Sequence, residues 1–262
     1  MTENEPQEFQ PPPPPEKIEM PPTPNMSEIG TVTGIFIEPG KTFEDLNRKP
    51  RFIIAGFLSI LCIMIFQVAF IQKVGFEKIA RARIEANKGM ADMPKEQREA
   101  IIAQQTGPVA KYIGYAVVPV FMVIFFAIGG LLYWLGANAL GGKATYGRGL
   151  AVWVYSGWPS ALLFLIANLL VLFLKDPAEI EIGTNQQGLV QAGPAMLVSA
   201  KAQPVLHALL SSLDLFQIIG WVLAAIGLQK VAKLKAGSAW TVVILIALIG
   251  VSLRVVSALL FG

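Results

Sequence analysis

Long apolar stretches without charge constrain this chain more than any other feature. Residues 52–71, 113–135 and 150–174 contain no Asp, Glu, Lys or Arg. The hydrocarbon core of a bilayer is about 30 Å thick, and about 20 helical residues cross it. Because lipid offers no hydrogen bonds to the backbone, a chain that crosses it in such segments must form helices there. The sequence therefore predicts an all-α membrane protein.

Two further stretches carry isolated ionisable residues. Residues 240–261 contain one charge, Arg254, whereas residues 205–228 begin just after a proline and contain His207 and Asp214. Counting both predicts a five-span transmembrane helical bundle, in which the fourth span, 205–228, has the weakest apolar character.

The composition agrees with this class. The chain is 54% hydrophobic and 15% charged, whereas soluble domains average about 25% charged residues. A net charge of +3 gives no indication of nucleic-acid binding. The single cysteine, Cys62, excludes an intramolecular disulfide.

The first 30 residues differ sharply from the rest. They hold six glutamates, one lysine and the runs "PPPPP" and "PPTP". Such a segment buries too little apolar surface to offset its ordering entropy, so residues 1–30 are predicted to be a disordered tail with polyproline II character. Pro21 and Pro24 have the PxxP spacing that docks in aromatic-lined grooves, which makes a protein partner possible. A plain spacer is the alternative.

The stretch "GIFIEPGKTFEDL", residues 34–46, superficially suggests a phosphate-binding loop. That motif needs four residues between its glycines, whereas five separate Gly34 from Gly40. Pro39 also lacks the N–H that would face a phosphate. The pattern does not predict nucleotide binding.

The same stretch is better explained as a short interfacial helix over residues 42–48. Thr42 is expected to cap it, with Asp45 favouring its positive N-terminal end. One helix face is apolar, and basic residues follow at the edge of the first span, as in helices that lie in a membrane interface. The predicted interfacial anchor consists of Phe43, Leu46, Arg48, Lys49 and Arg51.

Residues 155–163, "YSGWPSALL", lie within the third span. Ser156 and Ser160 lack the GxSxG context of a catalytic serine, and hydroxyls in spans commonly bond to backbone or neighbouring helices. Pro159 has no N–H to donate to the carbonyl of Tyr155, so a helix kink is predicted there.

The only histidine offers little chemistry. His207 has no HExxH context and no second histidine, which favours a packing role. The sequence therefore predicts no catalytic, metal or cofactor-binding residues and no enzymatic activity.

Charges inside spans are rare and usually paired. Asp214 and Arg254 each lie twenty positions from Leu234, near the centre of the turn "KVAKLKAGS". Equal distance from the turn of an antiparallel hairpin implies equal depth, which predicts a structural Asp214–Arg254 ion pair. Two separately snorkelling side chains are the alternative.

Several segments in order carry a family resemblance: "IFIEPGKTFEDLNRKPRF", "MPKEQREAI", "YSGWPSALL" and "LDLFQIIGWVLAAIGLQKVAKLKAGSAW". The chain resembles the bacterial-type branch of the YIP family, the Ypt/Rab-interacting membrane proteins, over residues 31–262. The resemblance implies a five-helix domain with a cytoplasmic N-terminus, whereas Lys and Arg counts alone leave the orientation open. Eukaryotic members are associated with vesicle trafficking and small GTPases. Their "DLYGP"-like signature is replaced here by "FEDLNRKPRF".

Two functions remain open from the sequence. The first is a non-enzymatic scaffold or adaptor whose partners are the bilayer and an unidentified protein, and the resemblance implies a role in membrane organisation or trafficking. The second is a transporter or channel component with Pro159, Asn168, Asp214 and Arg254 along a polar path. The resemblance implies residence in the bacterial cytoplasmic membrane, with the C-terminus outside.

Overall fold

A computed structural model describes residues 25–180, 182, 188–200 and 202–261. Most of the predicted tail, with Pro21 and Pro24, lies outside the described residues. Within these ranges the helices are α1 (Glu28–Ile37), α2 (Pro39–Arg48), α3 (Ile53–Val74), α4 (Phe76–Ala86), α5 (Lys88–Ala91), α6 (Lys95–Thr106), α7 (Pro108–Ala139), α8 (Tyr146–Leu174), α9 (Pro204–Leu210), α10 (Leu215–Val231) and α11 (Ala236–Phe261).

Four of these helices, α3, α7, α8 and α11, are long and apolar enough to cross a membrane. A fifth span arises when α9 and α10 are taken together across a short 3-10 turn, Ser211–Leu213, with a bend of 48°. The predicted all-α, multi-span architecture is confirmed. The region predicted as the fourth span consists of two helices bent at this turn, because Asp214 starts a new helix there.

Successive spans run in opposite directions, so their ends gather at two faces. The N-terminal face comprises α1, α2 and the loops 140–145 and 232–235. These segments touch: Arg148 Nε donates to the Asn47 carbonyl at 3.1 Å, and Lys143 N donates to the Ala232 carbonyl at 3.1 Å. The opposite, distal face comprises α4–α6, α9 and the segments between α8 and α10.

Helix α8 lies at the centre and packs against α3, α7 and α10. The backbones of α7 and α8 approach closely where both helices have glycine. A Cβ on Gly130 would lie 2.8 Å from Leu150 Cα, and one on Gly149 would lie 2.7 Å from the Gly130 carbonyl oxygen. Small residues allow this approach, which gives van der Waals contact where lipid provides no hydrophobic drive.

At the distal face, lysines on α3 and α4 hold the end of α8. Lys73 Nζ donates to the carbonyl of Leu172, and Lys78 Nζ donates to that of Pro177 at 2.6 Å. The last carbonyls of a helix have no intrahelical donor, so the Lys73 ammonium satisfies that of Leu172 and favours the negative end of the α8 dipole. Lys78 instead binds the segment that follows α8. Gly75, with φ of 89°, turns the chain between α3 and α4 and brings both lysines to this position.

Candidate functional site at the N-terminal face

The predicted interfacial helix is present but longer than expected. It begins at Pro39 rather than Thr42, because proline is well suited to a first turn whose N–H groups have no partner. Thr42 is therefore not the cap. It lies inside α2, is fully buried, and donates its hydroxyl to the Glu38 carbonyl at 3.1 Å.

The apolar face of α2 packs on protein. Phe43 and Leu46, predicted as part of the interfacial anchor, are fully buried within the protein, and the anchor role remains a prediction. The Phe43 ring packs into a slot on α10 that exists because Gly227 has no side chain. A Cβ on Gly227 would lie 2.8 Å from Val152 and 2.9 Å from the Phe43 ring. An amphipathic pattern shows which face is apolar but does not show whether lipid or a helix covers it.

Helix α1 was missed by the sequence analysis, which extended the tail to residue 30. It begins at Glu28, and the Ser27 hydroxyl caps it by accepting from Gly30 N at 3.0 Å. The serine followed by an acidic first turn and an apolar run was the available signal. The acidic, proline-rich residues before it obscured that signal.

Two aromatic side chains of α8 bind α1. Tyr155 donates its hydroxyl to Thr31 Oγ1 at 3.0 Å, and Trp158 Nε1 donates to the Val32 carbonyl at 3.1 Å. All four residues are buried. Buried donors without partners cost free energy, so α1 supplies acceptors that the spans do not.

A buried ion pair closes this α1–α2 hairpin onto the chain that enters α3. Arg51 forms a salt bridge with Asp45, and their side chains are 7% and 3% exposed. Arg51, predicted as part of the interfacial anchor, is buried because Asp45 lies one turn before the end of α2 and faces inward, and the anchor role of Arg51 remains a prediction. Arg51 Nε also lies 3.9 Å from Glu28 Oε1.

The same pair fixes the start of the described chain. Asp45 accepts from the backbone N–H groups of Asn25 and Met26, and Arg51 donates to the Met26 carbonyl at 2.8 Å. We call Asp45, Arg51 and the backbone of Asn25 and Met26 the clasp. It fixes the position of Asn25 and Met26, the first residues that the structure describes.

The outer surface of α2 is charged. Glu44 accepts from Lys230 at 2.6 Å, and this contact lowers the pKa of the Glu44 carboxyl. Lys41 pairs with Glu38 at 2.6 Å, which raises the pKa of the Lys41 ammonium. Arg48 and Lys49 are exposed at the end of the helix. Their placement in a membrane interface remains a prediction.

The predicted direct ion pair between Asp214 and Arg254 is not formed. The Asp214 carboxylate caps α10 by accepting from Phe216 N at 2.9 Å, and it also accepts from Ala192 N at 2.9 Å. Arg254 instead donates to Gln217 Oε1 at 3.3 Å. Asp214 is drawn to the backbone because a broken helix exposes N–H groups that need an acceptor.

The other polar residues within spans also bond to the backbone. Asn168 Oδ1 accepts from Leu189 N at 2.6 Å and Val190 N at 3.0 Å, which ties the loop after α8 to the bundle. Ser156 and Ser160 donate to the carbonyls of Trp153 and Phe216. Helix α8 runs through Pro159 without a break, and the predicted kink there remains a prediction.

His207 is buried at the distal face, where its Nε2 lies 3.3 Å from Gln191 Nε2 and its Nδ1 lies 3.3 Å from Ser211 Oγ. Ser211 donates to the His207 carbonyl at 2.7 Å. Within the described residues, no group of three or more His, Cys, Asp or Glu side chains is placed to hold a metal ion. The structure therefore does not bring the sequence-selected residues together into one site.

Asp45 and Arg51 of the clasp lie within the part of the chain that the family comparison covers, whereas Asn25 and Met26 precede it. The model of the Yip1 domain matches residues 33–257. The chain is 24% identical over 214 residues to "Membrane protein YknW" of Bacillus subtilis (strain 168), which covers 82% of this chain and 84% of the relative. No solved structure is detectably similar. Since the family model extends over far more than half of its length, this multi-pass membrane protein belongs to the Yip1 family.

Proposed function

We propose that this protein is a non-enzymatic membrane scaffold or adaptor that binds a protein partner through its N-terminal face. The observation that carries the proposal is the clasp. Asp45 and Arg51 hold Asn25 and Met26, so the proline-rich segment starts from a fixed point beside exposed Arg48 and Lys49. A fixed start orients a recruiting segment relative to the bundle.

Membrane organisation or trafficking is the process we infer, since the family resemblance points in that direction. We place the protein in the bacterial cytoplasmic membrane, with its N-terminus cytoplasmic and its C-terminus outside. The support is the Bacillus subtilis relative, together with the resemblance described above. The transporter alternative has weaker support, because the carboxylate of Asp214 and the amide of Asn168 are engaged in backbone bonds.

The test is purification of the full chain in mild detergent, followed by mass spectrometry of the proteins retained. Comparison variants are a chain lacking residues 1–24 and a chain with Pro21→Ala and Pro24→Ala. We expect one protein in stoichiometric amount with the full chain, and its loss with the truncated chain. The proline variant then shows whether the PxxP spacing is the recognised feature.

Two results would contradict the proposal. In the first, the truncated chain keeps the same partner in the same amount, which moves the binding surface away from the N-terminal segment. In the second, the preparation contains only this chain with a bound ion or small molecule, and Asp214→Asn abolishes that binding while folding is retained. That outcome supports transport.

A further inference from the structure

A group of exposed cations occupies the N-terminal face. The exposed residues of this basic rim are Arg48, Lys49, Lys143, Lys233 and Lys235. Among the described residues, none of the five has a carboxylate within 4 Å, whereas Lys41 and Lys230 of the same face are paired with Glu38 and Glu44.

The rim belongs to one continuous surface. The loop that carries Lys143 contacts the loop that carries Lys233, through the bond from Lys143 N to the Ala232 carbonyl. The end of α2, with Arg48 and Lys49, contacts the start of α8 through the bond from Arg148 to the Asn47 carbonyl. Exposed like charges on one surface raise the local potential and attract an anionic partner.

We propose that residues 1–24 of this chain bind back onto its own basic rim. This segment contains five glutamates, one lysine and no aspartate, so its charge is opposite to that of the rim. The clasp holds the end of this segment next to the rim, because Asp45 precedes Arg48 by only one helical turn. Charge complementarity and the fixed starting point together select this occupant.

The length of the segment fits the distance to be covered. A polyproline II chain rises about 3.1 Å per residue, so Glu19 and Glu16 come within about 19 and 28 Å of Asn25. Neighbouring helices lie about 8–10 Å apart, so a segment of this length crosses the face of a five-helix bundle. This reach is comparable with the width of the face that carries the basic rim.

Tethering makes weak contacts sufficient. A short covalent connection raises the effective concentration of the segment at the rim to the millimolar range, so modest charge attraction holds it there. Salt screens such exposed contacts, with a Debye length of about 8 Å at physiological ionic strength and about 3 Å at 1 M. In the docked state, the segment that a partner would bind is covered by the rim. This inference goes beyond the adaptor proposal, and the docking can be measured without any partner.

The experiment measures the distance between the segment and the rim face. Spin labels are placed by Gln10→Cys and Thr145→Cys in the full chain, after Cys62→Ala removes the natural thiol, and the protein is held in discs of phosphatidylcholine. Thr145 is exposed, lies in the loop before α8 and makes no side-chain capping bond. We expect a population at short distance in low salt and its loss at about 1 M salt.

Charge variants identify the contact. Lys143→Gln, Lys233→Gln and Lys235→Gln together are expected to reduce the short-distance population by half or more. A chain with all five segment glutamates changed to glutamine should lose it as well. The matched control, Lys95→Gln, Lys111→Gln and Lys175→Gln, removes three exposed lysines from the distal face and should leave the population unchanged.

Three results would overturn the proposal. The first is the absence of a short-distance population in low salt. The second is an equal loss in the distal control, which would indicate an effect of total charge. The third is the displacement of the segment when phosphatidylglycerol is added at physiological salt, because anionic headgroups would then be the occupant of the rim.

Discussion

An arginine–carboxylate contact stabilises each end of the bundle, but the two contacts differ in their exposure to solvent. At the N-terminal face the Arg51 and Asp45 side chains are 7% and 3% exposed. At the distal face Arg81 binds Glu77 and Glu99, and these side chains are 41%, 66% and 45% exposed. The first contact joins α1, α2 and the start of α3, whereas the second joins α4 to α6.

This difference in burial predicts a difference in how much each contact contributes to the free energy of unfolding. An exposed ion pair exchanges its partners for water at little net cost, and salt screens it. A buried ion has no water to replace its partner, so removal of one member leaves a charge that is both desolvated and unpaired. The N-terminal face should therefore be much more sensitive to single substitutions than the distal face.

The largest effect is expected for Arg51→Met. The substitution leaves the Asp45 carboxylate buried without its cation, and such losses cost about 3–5 kcal/mol in the free energy of unfolding. Reversible unfolding in mixed micelles measures this loss in the free energy of unfolding. The double variant Asp45→Asn, Arg51→Met removes the stranded charge and should lose less than Arg51→Met alone. The single variant Asp45→Asn completes the comparison. If the free energy lost by the double variant equals the sum of the losses of Asp45→Asn and Arg51→Met, the two side chains do not stabilise the fold as a pair.

The next largest effect is expected for Gly227→Ala, which fills the slot that receives Phe43. The new Cβ would lie 2.8 Å from Val152 and 2.9 Å from the Phe43 ring, and overpacking costs about 1–3 kcal/mol. Gly250→Ala in α11 is the control, since nothing lies within 4 Å of its Cβ position. The unfolding free energy should fall for Gly227→Ala and stay equal or rise for the control. An equal fall in the unfolding free energy of both variants would indicate a general effect of glycine replacement.

Between α9 and α10, Asp214→Ala tests the cap of α10. Loss of a capping side chain costs about 0.5–2 kcal/mol, because a buried or partly buried N–H group loses its acceptor. Asp214→Asn keeps an oxygen in the same position and should retain most of the stability in the same unfolding assay. If Asn were as damaging as Ala, the charge of Asp214 rather than its cap would be the important property.

The smallest effect is expected for the exposed network at Arg81. Hydrogen bonding to Arg81 lowers the pKa of Glu99, so the pair stabilises the folded state above the usual glutamate pKa. That contribution is lost as the pH falls through the lowered pKa. Arg81→Gln should therefore cause a small loss of melting temperature at neutral pH, and this loss should shrink as the pH falls through the lowered pKa of Glu99. A loss that persists at acidic pH would point to packing instead.

The helical class and the positions of four spans were predictable because they depend on local properties. An uncharged apolar run of sufficient length has one stable form in lipid, whatever its neighbours are. The short helix α2 was predicted for the same reason, since its apolar face is a local pattern, although its start and cap were not. Its environment was not predictable, because Phe43 is covered by α10, about 180 positions further along the chain.

The sequence by itself determined an all-helical membrane protein of about five spans with a charged, proline-rich start. Only the tertiary structure decided that α1 supplies acceptors to Tyr155 and Trp158, and that Asp45 rather than lipid receives Arg51. It also decided that Asp214 caps α10 instead of pairing with Arg254. The physical reason is that burial in lipid depends on the residues of one segment, whereas the choice of a polar partner depends on which donors and acceptors distant segments bring within about 3 Å.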